Sequence, residues 1–444
     1  MIDFSPETVV FLMFLGIMGG LALGHPVAFI MGGLATIFAF LGWGPQGTYL
    51  FQGRAFDSTT NNILIAIPQF ILMASFLGKS GISDGLFRSM MHLFGPVNGA
   101  IGLAVIVMCA IEAACTGIIG ASVVSMTILA VPVMLRHHYN KHLTCGAVGA
   151  GGVLSILIPP SIMLVMMADQ AGVSVGKLFA GGFIPGLILT ALFFIFILLL
   201  TMWKPEMGPA LSHEERSAVS GTALVKMLGV HMVPPILLMI AVLGSIWTGV
   251  ATATEASGVG ALMALILMIA YGKFSWKLFY ECLLSSAKTN CMVMTILFCA
   301  SIFTGVFLGL GGGDAVTDFV MMFGALGKWG ILFIMMFIIF ILGFLIDWIA
   351  IIYITFPIFL PIASKLGFDK LWFIILIAVN LQTSFLSPPF GYALFYMKTT
   401  VPPEINLLDI YKGVVPFIIL QVIGLILCIL WPELVTFLPA KIIH

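Results

Sequence analysis

Long apolar runs separated by short polar punctuation set the architecture of this chain. Leu178–Trp203, Met227–Thr254, Ala256–Gly272, Trp329–Ile346 and Val414–Trp431 contain no Asp, Glu, Lys or Arg. Roughly 20 apolar residues carry a helix across a bilayer, and the pattern predicts about 11 crossings plus two shorter pieces, near Ala113–Pro132 and Ile346–Pro361. The N-terminal Met1-Ile-Asp-Phe-Ser-Pro-Glu7 is acidic and lacks the positive region of a cleavable signal peptide, so Thr8–Leu23 reads as a retained first helix. The longest polar stretch, Lys204–Lys226, is punctuated by Pro, Gly and Ser and reads as an exposed linker with a short amphipathic helix. It separates a first repeat, 1–203, from a second, 227–444.

The two halves echo each other. Displaced by 229 positions (388 less 159), Ile158-Pro159-Pro160 falls on Ser387-Pro388-Pro389, Pro132 on Pro361, Tyr139 on Phe368, Lys141 on Lys370 and Asn61 on Asn290. Proline lacks the backbone donor and clashes with the preceding turn, so two in succession force helical backbone to unwind. Unwound backbone at membrane depth is tolerated only when enclosed by protein or lining a cavity. Matching breaks in two halves point to the binding site of a secondary transporter. Each half is expected to open with a small-residue helix start (Gly24–Ala28 against Thr252–Ala256) and a helix begun by Asn61 or Asn290. A re-entrant hairpin at about 113–135 or 343–363 and a broken helix at about 143–170 or 370–397 follow. An odd number of crossings per half gives an all-α polytopic membrane protein built from two inverted repeats.

Composition narrows the class further. Of 444 residues, 61% are hydrophobic and 8% charged, against about a quarter charged in soluble domains. A formal net charge of zero argues against nucleic acid or polybasic lipid targeting. The seven cysteines lie in apolar sequence without metal-ligand spacing and read as small buried hydrophobes. No His-Glu-x-x-His, Gly-x-Ser-x-Gly or P-loop pattern is present, so neither an enzyme nor an ATP-driven pump is expected. Arg136–His142 is the most basic short loop and is expected on the cytoplasmic side.

Small residues and hydroxyls crowd Cys115–Ser122. This segment suits a hairpin dipping to mid-membrane, or else small-residue helix packing. Asp347 stands in an apolar run, where an ionisable group is by default functional. It could bind a sodium ion, carry a proton, or act as a helix-start acid accepting backbone N–H bonds. Glu112 is the one other intramembrane carboxylate that could face it. At the breaks, freed carbonyls suit a hard monovalent cation and half-helix N-termini suit an anion. Ser161 adds a hydroxyl after the first break; Thr383, Ser384 and Ser387 precede the second, and Gly391 and Tyr392 follow it. Glu255 and His25 head corresponding helices and read as helix-start chemistry.

At these residues the chain resembles the large membrane subunit (M subunit, DctM-like permease) of tripartite ATP-independent periplasmic (TRAP) transporters. The likeness runs through Asn62-Ile-Leu-Ile-Ala-Ile-Pro68, Thr116-Gly117, Ala121-Ser122, Ile158-Pro-Pro-Ser-Ile162 and Ser174–Phe179 with Pro185-Gly186. It continues in Thr252–Ala256, Gly343-Phe-Leu-Ile-Asp347, Pro357, Pro361 and Pro388-Pro-Phe-Gly391. Leu381–Ser387 departs from the family's more common Asn/Gly-rich approach to the second proline pair. The resemblance implies an elevator-type transporter in the bacterial or archaeal cytoplasmic (inner) membrane, with no cofactor beyond sodium as coupling ion. It would take up a small organic acid delivered by a periplasmic substrate-binding protein. With no four-helix block before Met1 or after Pro432, a separate small four-helix membrane subunit is expected. Carried over by motif, sodium would be held by Thr116, Gly117, Ser122, Gly152, Ile158, Pro160 and Ser161, and by Asp347, Thr383, Ser387, Pro389 and Gly391. Substrate would meet Ser122, Ser161 and Tyr392.

Overall fold

The computed structural model describes residues 5–442, and of Cys115 and Thr116 the backbone alone. Among the described residues it is entirely helical. The first half runs α1 (Pro6–Ala22), α2 (Val27–Trp43), α3 (Thr48–Thr59), α4 (Ala66–Lys79), α5 (Ile82–Phe94), α6 (Ala100–Thr116), α7 (Ile119–Arg136), α8 (Lys141–Val153), α9 (Ile162–Ala171) and α10 (Val175–Trp203). Two short helices, α11 (His213–Ser217) and α12 (Gly221–His231), follow. The second half runs α13 (Val233–Trp247), α14 (Ala253–Ala270), α15 (Trp276–Gly309), α16 (Gly312–Met321), α17 (Gly327–Leu345), α18 (Trp348–Lys365), α19 (Lys370–Leu386), α20 (Tyr392–Lys398), α21 (Leu407–Leu430) and α22 (Glu433–Ile442).

Nine helical stretches among the described residues are long and apolar enough to cross a membrane, or ten if the pair bent by 61° at Lys79–Ile82 counts as one. The sequence pattern counted more because α8 with α9, and α19 with α20, are apolar runs divided into pieces too short to span alone. The 229-residue register aligns element starts as well as prolines: Lys141 opens α8 where Lys370 opens α19, and Ile119 opens α7 where Trp348 opens α18. Each start has a local cause. Asn140 accepts the amides of His142 and Leu143, and Asp369 accepts that of Trp372 at 2.8 Å, filling donors that a helix start leaves unpaired. Thr252 and Glu255 close a reciprocal capping box on α14, the helix-start role their sequence suggests.

Two expectations change. The short piece near 113–135 is the tip and second arm of a longer hairpin whose first arm begins at Ala100. Asn290 opens nothing: α15 continues through it for 34 residues. Its counterpart Asn61 does sit at an interruption, between α3 and the 3₁₀ turn Ile63–Ile65, where its Oδ1 accepts the Ile63 amide at 2.9 Å. A side chain that caps the backbone competes with continuing the helix.

The halves interlock. α2 packs on α15 and α14 on α4; α7 packs on α20 and α18 on α9; α21 packs on α8 and α10 on α19. Every side chain from Leu143 to Val153 of α8 and from Trp372 to Leu386 of α19 is buried. The outward faces of α1, α2, α14 and α17 expose Phe11, Phe29, Phe40, Leu262, Ile266, Phe333 and Phe337, as lipid contact requires. The helices that lead into the breaks, α8 and α19, are therefore wrapped by others, and at the first break the unwound backbone is buried with them.

The polar linker is laced to the helix ends. Gly208 O accepts the Gly99 amide at 2.7 Å, Met207 O accepts that of Asn140 at 2.9 Å, and His137 Nε2 lies 2.9 Å from Glu215 Oε1. The hydrogen bond from His137 holds the Glu215 carboxyl below its ordinary value, helped by Ser212. A depressed carboxylate contributes stability that is present above its unfolded value, about 4.3, and is lost as pH falls through the lower folded one. Amide protection across 204–226, taken relative to the intrinsic exchange rate at each pH, should therefore fall below about pH 4 relative to pH 7, modestly because the pair is exposed. Glu215→Gln should remove that pH dependence, and an unchanged profile in the variant would show that the linker is held by its backbone bonds alone.

Candidate functional site

The first hairpin turns at Gly117 (φ +62°) and an extended Ile118, and the second at an extended Ile346 and Asp347. Ile118 and Asp347 occupy the same register position, each as the residue preceding the second arm. Gly117 is required: its φ is left-handed, and a Cβ there would stand 3.2 Å from Ile162 N and 3.3 Å from Pro160 O. The first tip thus rests directly on the first break. The Thr116 side chain lies outside the described residues.

At that break, α8 tightens into a 3₁₀ turn at Leu154–Ile156 and ends; Leu157–Ser161 is non-helical and wholly buried, with the Pro159–Pro160 bond cis. Proline at 159 and 160 removes the amides that would reach Ser155 O and Ile156 O. Ser161 repairs one loss, donating its hydroxyl to Ile156 O at 2.6 Å and accepting the Leu164 amide at 3.4 Å as the cap of α9. No donor among the described residues reaches the carbonyls of Ile158, Pro159 or Pro160.

The second break repeats the chemistry with different residues. Ser387 donates its hydroxyl to Thr383 O at 2.7 Å and its amide to Ser384 O at 3.1 Å. Tyr411 donates to Pro389 O at 2.7 Å. Gly391 is needed for close approach, since a Cβ would stand 2.5 Å from Phe385 O and 3.0 Å from Ser387 O. Unlike the buried first break, Pro389 and Phe390 are exposed.

Asp347 is half-buried, and its Oδ2 accepts the Ile349 amide at 3.2 Å as the cap of α18. The helix-start role is therefore present, with its remaining lone pairs open to other partners. Tyr392 and Tyr396 of α20 lie within electrostatic reach of it. Tyr396 also covers the first hairpin, its Cζ 3.0 Å from where a Gly120 Cβ would be. The post-proline helix of the second half so packs on the first hairpin, and Tyr396, exposed among apolar residues in the sequence, gave no sign of it.

The remaining candidates have these local surroundings. Gly152 serves packing, its α face pressed on Val123 of α7, and Ile158 packs on Gly186 of α10. Thr383 bonds Val379 O at 3.3 Å and lines an apolar groove of about 480 Å³ with α17 and α21. Ser122 is buried on the first turn of α7. Glu112 does not face Asp347: it lies with Leu77, Ile82, Leu86 and Pro235 at the α4–α5 elbow. Ser161→Ala should leave Ile156 O without a donor and lower thermal stability by about 1–3 kcal/mol. Ser161→Thr should restore most of it, and equal melting of wild type and the alanine variant would deny the repair.

Comparison with known proteins agrees across almost the whole length. Residues 14–434 match the family described as tripartite ATP-independent periplasmic transporter, DctM component. The chain is 30% identical, over 92% of both proteins, to the C4-dicarboxylate TRAP transporter large permease protein DctM of Pseudomonas aeruginosa. It is 30% identical to the isethionate TRAP transporter permease protein DctMQ of Oleidesulfovibrio alaskensis, covering 94% of this chain and 64% of that longer protein. Its fold is similar to that of the YdaH transporter of Alcanivorax borkumensis, with TM-score 0.59 and 13% identity over 96% of this chain and 98% of that one.

Proposed function

Because the chain belongs to the DctM component family of tripartite ATP-independent periplasmic transporters, we propose that it is the subunit through which a small organic anion crosses the inner membrane, driven by a sodium gradient. The observation that carries this reading is the pair of non-helical segments, each at the same place in its half, the first enclosed and the second exposed at Pro389 and Phe390. The first leaves three carbonyl oxygens without donors beside a hairpin tip, an arrangement that suits a weakly dehydrated monovalent cation. The second sets Asp347 and two tyrosines near unwound backbone.

Inverted repeats have geometric support. Lys141, opening α8, donates to Glu404 O beyond α20 at 2.8 Å, and its register partner Lys370, opening α19, donates to Ala171 O at the end of α9. Each broken helix thus begins where the other ends, as two units of opposite orientation do. Movement of hairpins and broken helices against the surrounding helices would alternate access to the site. The two 30%-identical relatives are named for a C4-dicarboxylate and for isethionate, a sulfonate, so the shared property taken for this chain is an anionic solute. The tripartite family description supports two partners, a small membrane subunit and a periplasmic binding protein.

Proteoliposomes test this. Uptake from a panel of organic acids should require the chain, both partners and inward sodium. Robust uptake by the chain alone would make it a stand-alone symporter, and uptake indifferent to sodium would remove the coupling ion. In the same assay Asp347→Asn should raise the sodium concentration for half-maximal uptake several-fold while leaving expression intact. An unshifted sodium curve would confine Asp347 to capping α18.

A further inference from the structure

We infer that the cavity between α1, α15, α16 and the second hairpin is a binding site for one acyl chain of a bilayer phospholipid. The cavity holds about 250 Å³. Met13 and Ile17 of α1 and Phe303 and Phe307 of α15 form one wall, the two phenylalanine rings 9° from parallel. Ile338 and Leu342 of α17, with Ile354 and Ile358 of α18, form the other. Ile346, the residue before Asp347 at the hairpin tip, also lines it. The helices close around it by packing α15 on α18, α16 on both α17 and α18, and α1 on α16. Chemistry excludes most occupants. Among the described residues no charged side chain lines the cavity, and Thr355, its one hydroxyl, is spent on Ile351 O at 2.7 Å. A buried water needs two to four polar partners, and an ion or organic anion needs polar groups to replace its hydration. An apolar cavity of about 150 Å³ lined by Leu, Ile and Phe stays dry and accepts benzene or xenon. This larger one suits an apolar guest.

The entrance identifies the guest. A groove of about 380 Å³ adjoins the cavity along Val10, Phe14, Val316 and Phe319, which line both. Phe11, Phe14 and Phe319 are exposed along this groove, on the outward side of α1 that meets hydrocarbon. The apolar molecules at hand there are lipid tails. A helix of a second protein, about 10–12 Å across with its side chains, is too broad for the inner cavity, whereas a single alkyl chain is thin and bends. Glu7 is exposed on the same groove. Its carboxylate repels an anionic headgroup and favours one bearing an ammonium, as phosphatidylethanolamine does. A tail bound here touches α1, α15 and α16 on one side and the hairpin that carries Asp347 on the other.

The test is photolabelling of the full chain in lipid nanodiscs with phosphatidylethanolamine that carries a diazirine at the end of one tail. Label is expected on Phe303, Phe307 and Ile346, which are buried and out of reach of the bulk bilayer, whereas exposed Phe333 and Phe337 report ordinary lipid contact. Val316→Trp, which narrows the junction of groove and cavity, should remove the label from the three buried residues and leave it on Phe333 and Phe337. A map of the wild type in the same nanodiscs should show rod-like density beside Phe303 and Phe307, a result that does not depend on the variant's folding. Label confined to exposed residues, buried label that survives in folded Val316→Trp, or a cavity without density would each overturn the inference.

Discussion

Gly413→Val is expected to leave no folded protein. α8 and α21 meet glycine on glycine: a Cβ at Gly413 would run into the His142 carbonyl oxygen and stand 3.1 Å from Gly146 N. A Cβ at Gly146 would in turn meet Gly413 O and the Phe417 ring. The obstacles are backbone atoms of buried helices, which cannot rotate away. Small residues at such crossings let membrane helices approach closely, and dispersion over that contact is much of what holds them. Overpacking costs about 1–3 kcal/mol where side chains can yield and more where backbone must shift, against a total stability of about 5–15 kcal/mol. Gly413→Ala should survive with a lowered melting temperature, and Gly19→Ala, where a Cβ would meet nothing within 4 Å, should behave as wild type. Fluorescence-detected size exclusion of the three variants checks this; a monodisperse valine variant would mean that α21 can stand off from α8.

Replacing Pro159 and Pro160 together by alanine should bring transport to background while the protein stays folded. The substitutions return amides opposite Ser155 O and Ile156 O and lift the steric bar to helix, so α8 can continue toward α9. Winding the segment consumes the free carbonyls and moves Pro160 O and Ile162 N away from the Gly117 tip. The equivalent change at Pro388 and Pro389 should act in the same direction. It should be milder in stability, since that break is already exposed and its hydroxyl repair comes from Ser387, upstream of the prolines. Uptake assays beside melting curves separate loss of transport from loss of fold. Full activity in the first variant would reduce the break to a kink.

The local chemistry was legible to the residue. Proline has one effect on helical backbone whatever surrounds it, so a register of 229 found both breaks, and the caps at Asn140 and Asp369 follow from short polar side chains. Asn290 was misplaced because the same residue type ends a helix in one half and rides within α15 in the other, a difference decided by packing. The first arms of the hairpins were hidden because Ala100–Ile111 and Trp329–Leu345 are apolar throughout, with no punctuation to show that they lead to tips rather than across. Tertiary pairings had no sequence signal at all. Asn61 and Asp169 stand 108 residues apart, and Tyr396 reaches the first hairpin from the second half. Glu112 looked available to Asp347 only while depth was known and direction was not.

The most direct measurement is a pair of high-resolution maps, one with sodium and one with choline in its place. Cation density should appear in sodium between the Gly117 tip and the carbonyls of Ile158–Pro160, and between the Asp347 tip and Ser387–Gly391, and should vanish in choline. Identical maps, or helix wound continuously through Pro159 and Pro388, would contradict the account.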